Sequence, residues 1–121
     1  MYRYFNANKF GYNIEDCTIR AISVAECISW DKAYRKLSEY ARERGLMINS
    51  VESIEQYLDD NYERVCEANM TVGEFAYYNP VGIYLVTMPG HITTIKNGEI
   101  IDTFDCSERL MWCAWQVERL G

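Results

Sequence analysis

The sequence predicts an α+β fold in which N-terminal helices pack on a C-terminal antiparallel sheet. Helical periodicity dominates up to about Tyr78, and β-branched and aromatic alternation dominates after Val81. Helices first and strands afterwards favour α+β over a doubly wound sheet. No linker, low-complexity block or repeat interrupts the 121 residues, so residues 1–121 read as a single domain.

A first helix is expected to begin at Asp16 or Cys17, with Asp16 as its N-cap and Ile19, Ala21, Ile22, Val24 and Ala25 following without a breaker. Ser29 reads as the cap of a second helix, with Trp30, Ala33, Leu37 and Tyr40 on one stripe and Gly45 just past its end. Asn49 and Glu52 have capping-box spacing at the head of a third helix through Ile54, Tyr57 and Leu58, and Thr71 and Glu74 repeat it before Asn79 and Pro80. Four strand candidates follow, at 83–88, 91–96, 99–104 and 111–117. Asn97 and Gly98 between the second and third predict a two-residue type I′ hairpin.

That turn fixes a register. Lys96 faces Glu99, Ile95 faces Ile100, Thr93 faces Asp102 and His91 faces Phe104. One face then carries His91, Thr93, Ile95, Ile100, Asp102 and Phe104, and having neither Lys nor Glu it is expected to turn inward. His91 and Asp102 become diagonal neighbours about 7–8 Å apart by backbone spacing, close enough for the side chains to meet. A buried carboxylate needs a partner, and His91 is the only histidine. An Asp bound to one imidazole nitrogen leaves the other free as a base. Asp105 has the opposite parity and ranks second as that partner.

Cys17 completes the set, because the first turn of a helix has unpaired N–H groups and a positive dipole end that favour a thiolate. Its own N–H could also donate to an oxyanion. Cys27, Cys66, Cys106 and Cys113 have no such environment and read as packing residues. Most of the ten tyrosines and three tryptophans also read as core, with Trp112 and Trp115 on opposite faces of the last strand. Arg20, one turn after Cys17, reads as an ion-pair partner of Asp16 or Asp105, or less readily as a clamp for a substrate carboxylate. The cysteine spacings and single histidine match no metal-ligand pattern, so no metal and no cofactor is expected.

The net charge of −6 argues against nucleic acid or an anionic membrane as partner. An odd count of five cysteines, with no leader-like apolar stretch or long apolar run, leads to an expectation of reduced thiols in a cytoplasm.

The segments Asp16-Cys17-Thr18-Ile19-Arg20-Ala21, Gly90-His91 and Asp102-Thr103-Phe104-Asp105-Cys106 resemble a group of small phage and bacterial proteins. That group is similar to the papain-like cysteine peptidases, including the leader-processing peptidases of the C39 type, and the resemblance runs from about Asn6 to Trp115. It implies a papain-like fold and a Cys17, His91 and Asp102 triad, acting on a peptide or protein in the host cytosol if the chain is phage-encoded. In those families a Gln or Asn upstream of the nucleophile completes the oxyanion hole. No Gln lies upstream here, and Asn13 or Asn8 would take that place. The resemblance leaves two functions open: a peptidase, isopeptidase or amidase, and a scaffold without activity that binds and blocks a host defence protein.

Overall fold

In the computed structural model, residues 1–67 and 69–117 are described. The chain runs β1 (Tyr2–Tyr4), α1 (Cys17–Glu26), α2 (Trp30–Arg44), α3 (Val51–Asn61), β2 (Glu63–Glu67), α4 (Val72–Tyr78), β3 (Ile83–Met88), β4 (His91–Lys96), β5 (Glu99–Asp102) and β6 (Cys113–Val117). The strands form one sheet in the order β1-β5-β4-β3-β6-β2.

The α+β class holds, but the sheet is neither wholly antiparallel nor wholly C-terminal. β1 pairs parallel with β5, and β2 lies between two helices in sequence and pairs antiparallel with β6. Both are edge strands, three and five residues long, too short to print a clear two-residue period on the sequence. The candidate strands 99–104 and 111–117 are trimmed to Glu99–Asp102 and Cys113–Val117.

Local chemistry sets most helix ends. Ser29 accepts from the Lys32 N–H, and Gly45 closes α2 in the left-handed region at φ 68°. Thr71 and Glu74 form the full capping box of α4. Two expected caps differ. Ser50, not Asn49, caps α3 by accepting from the Ser53 N–H, and Asn49 instead donates to the Glu15 carbonyl at 3.5 Å. Asp16 precedes α1 but its side chain makes no capping bond, being taken by Asn8, Arg20 and Trp30.

The hairpin register is as the turn chemistry predicts: Lys96 pairs with Glu99 and Ile95 with Ile100, and Asn97 and Gly98 have φ of 51° and 76°. The burial differs. Ile92, Thr94 and Ile101, on the face expected to be solvated, are as buried as Thr93, Ile95 and Ile100 on the other. The sheet is covered on both sides. Ile83, Leu85, Ile92 and Trp115 pack with α1, α2 and α3, while Tyr84, Val86, Ile95 and Ile100 pack with α4. The polar side chain of Thr94 hid this, because it is buried through a 2.8 Å hydrogen bond from its hydroxyl to the Ala21 carbonyl.

Seven of the thirteen tyrosines and tryptophans are buried or packed against the core, so the majority expected there is a narrow one. Trp115 is fully buried, but Trp112, Tyr4, Tyr12, Tyr34, Tyr77 and Tyr78 are exposed, and Trp112 precedes β6 instead of lying within it. Among the described residues no helix is long and apolar enough to cross a membrane.

Candidate active site

Three elements end at one place. α1 starts at Cys17, β4 starts at His91 after a tight Pro89-Gly90 turn, and β5 ends at Asp102. Gly90 takes the left-handed conformation that turn needs, at φ 70°. Thr94 bonding to Ala21 fixes α1 on β4, which brings the first turn of the helix over the start of the strand.

His91 Nε2 lies 2.6 Å from Asp102 Oδ2. The Cys17 thiol is the ring's other neighbour, and each shifts the ionisation of the other. With Nε2 engaged by the carboxylate, Nδ1 is the nitrogen left for the sulfur. Asp102 is itself held by the Thr93 hydroxyl at 2.7 Å, the Thr103 N–H at 2.7 Å and Arg20 Nη1 at 3.2 Å. No polar side-chain atom buried among the described residues is left unbonded. Phe104 flanks the ring at a centroid distance of 4.7 Å.

The electrostatics follow from these contacts. Burial opposes ionisation of Cys17, yet the His91 hydrogen bond and charge, the Ile92 N–H and Arg20 together pull the thiol below its ordinary value. Burial likewise opposes a charged ring, and the bonds to Asp102 and Cys17 overcome it to raise His91 to about 9. For Asp102, desolvation is outweighed by His91, Thr93 and Thr103, which keep its carboxyl below the usual range. Near neutral pH the ring is therefore cationic, backed by the Asp102 carboxylate, and its charge favours ionisation of the thiol beside it.

Arg20 is an ion-pair residue. Its Nε meets Asp16 Oδ1 at 2.8 Å, and its Nη1 meets Asp102 and the Thr103 hydroxyl. Asp105, the second-ranked partner for the ring, is exposed and accepts from the Ser107 N–H. Asn13 lines the cavity in front of Cys17. Asn8 is buried away from that role, donating to Asp16 and accepting from the Phe10 N–H.

The sequence reading missed Thr93 and Thr103 as supports of Asp102, and the hub formed by Asp16. Thr93 was legible in principle, since the predicted register already set it opposite Asp102. It also missed how Cys106 is placed. Ligand atoms of Cys106, His91 and Asp102 lie within 4.8 Å of one another, a grouping that linear spacing does not reveal. Two ligands of one tetrahedral ion stand about 3.3 Å apart, as bond lengths near 2 Å dictate, so the 2.6 Å His91 to Asp102 contact belongs to a hydrogen bond. Burial and the Asp102 charge push the Cys106 thiol up to about 11. Cys113 is partly buried beside Arg64, Cys27 is exposed, and the side chain of Cys66 lies outside the described residues.

A cavity of about 510 Å³ opens in front of Cys17 and His91, bounded by the segment before α1, by α3, and by Phe104 and Trp112. Comparison with family models, curated proteins and solved structures finds no match for this chain.

Proposed function

We propose that the protein is a cysteine hydrolase of papain-like design, acting on a peptide, isopeptide or small amide bond. The observation that carries this reading is that Cys17 and His91 line the same cavity, with the ring bonded to Asp102 and coupled in its ionisation to Cys17.

The thiolate of Cys17 attacks the carbonyl carbon, and the π-electron pair moves onto oxygen. The Cys17 N–H, at the unpaired end of α1, and the Asn13 amide are the donors suited to that oxyanion, each worth about 3–4 kcal/mol if aligned. Collapse of the adduct breaks the C–N bond while the His91 imidazolium gives its proton to the leaving amine. The neutral ring then deprotonates water, which attacks the thioester. Breaking the C–S bond releases the acid and restores the thiolate and imidazolium.

Iodoacetamide tests the reading without a known substrate. Peptide mapping at pH 7 should find Cys17 alkylated at least about tenfold faster than exposed Cys27, and His91→Ala should remove most of that advantage. Equal rates at the two cysteines would overturn the hydrolase and favour the alternative, a scaffold that acts by binding a host protein.

A further inference from the structure

The cavity beside Cys17 has charge of one sign that the fold does not use. On its wall Arg20 is committed to Asp16, Asp102 and Thr103, and His91 is matched by Cys17 and Asp102. The other two charged residues there are Glu15 and Glu55, and among the described residues neither carboxylate has an ion-pair or hydrogen-bond partner. Arg109, stacked on Phe104 at 5.0 Å, is not part of the lining.

The two carboxylates come from different elements. Glu15 stands two residues before the nucleophile and Glu55 lies on α3, and the bond from the Asn49 amide to the Glu15 carbonyl ties these segments together. Apolar side chains line the same cavity, with Val51 57% exposed, Trp112 49% and Phe104 37%. Their exposure is a cost that a ligand would relieve.

Resting on the hydrolase reading, we propose that the substrate is a basic, apolar peptide: a Lys or Arg side chain pairs with Glu15 and Glu55 while a neighbouring apolar residue covers Val51, Phe104 and Trp112. An acidic segment is disfavoured by the same carboxylates. Each half-exposed ion pair favours binding by about two- to fivefold, so the two together give a preference of about tenfold. Screening weakens it as salt rises.

Peptidyl chloromethyl ketones test this directly, because the Cys17 thiolate displaces chloride and leaves one stable C–S bond whose mass can be read. Three probes are compared, Leu-Arg, Leu-citrulline and Leu-Glu, in which citrulline keeps the shape of arginine without its charge. The expected order of Cys17 alkylation rates is Arg about tenfold above citrulline, with Glu slowest. The Arg advantage should shrink to within about twofold at 1 M salt and in the Glu15→Gln/Glu55→Gln double variant. Equal rates for Arg and citrulline, or an advantage that survives both changes, would overturn the inference. Iodoacetamide separates the two failures: selective labelling of Cys17 with no Arg preference sinks only the basic-substrate proposal, and loss of selectivity sinks the hydrolase as well.

Discussion

Asp102 is the residue on which the site turns, because its carboxylate takes up five hydrogen bonds at once, from His91, Thr93, the Thr103 N–H, the Thr103 hydroxyl and Arg20. Arg20 bridges it to Asp16, the residue immediately before Cys17, so one guanidinium holds both ends of the site. Its side chain is 11% exposed and its partners 3% and 5%, and removing one member of such a buried group typically costs about 3–5 kcal/mol. Arg20→Ala should therefore lower the urea midpoint sharply, whereas Thr93→Val should leave the midpoint closer to the parent and slow Cys17 alkylation. For the proposed hydrolysis, the titrations of Cys17 and His91 predict a bell-shaped pH profile. Its acid limb reflects protonation of a thiol whose value lies below the ordinary one. Its alkaline limb falls near pH 9 as the imidazolium that protonates the leaving group is lost. A rate that climbs steadily through pH 9 would contradict the ion pair.

Among the elements, α2 and α4 are ended by side chains whose roles can be tested alone. Ser29→Ala and Thr71→Ala should each cost about 1 kcal/mol in chemical denaturation, and the two should add because they cap different helices. Asp16 offers the contrast. Its carboxylate does not cap α1 but binds Asn8, Arg20 and Trp30, so Asp16→Asn should destabilise by more than either cap deletion. Glu26 plays a similar part at the other end of α1, where Lys36, Tyr57 and Tyr62 all donate to it and join three helices. The 97–98 turn also resists change: Gly98 sits at φ 76°, and an added Cβ would lie 3.4 Å from the Ala76 carbonyl oxygen. Gly98→Ala should cost about 1–2 kcal/mol through backbone strain.

At the scale of the whole molecule, stability comes from a sheet buried on both faces. Leu85 and Trp115 are fully buried on one side, and Val86 and Ile95 on the other. Leu85→Ala and Ile95→Ala should each cost about 2–5 kcal/mol, and similar losses from both faces, read as denaturant midpoints, would establish the two-layer burial. Stability should also depend on pH through His91. Its folded value near 9 exceeds the ordinary value of about 6.5, so its contribution is complete below that ordinary value and fades as pH rises through 9. Asp102 acts in the opposite sense. Its folded value is depressed, so its contribution is present above the ordinary carboxyl range and is lost on acidification.

The sequence by itself determined what is local. Ser29, Gly45, Thr71 and Glu74 mark helix ends because a cap is a bond between residues three or four apart, and Asn97-Gly98 sets the β4 and β5 register because two consecutive residues with positive φ leave one hairpin geometry. From that register Asp102 could be set beside His91. The tertiary structure decided what depends on distant partners. It alone placed Tyr2–Tyr4 and Glu63–Glu67 at the sheet edges, covered the second face of the sheet, drew Asp16 from capping to the Arg20 network, and brought Cys17 to a ring 74 positions away. Short edge strands and long-range side-chain bonds leave no period in a sequence, because their energy comes from surfaces that meet only after the chain has folded.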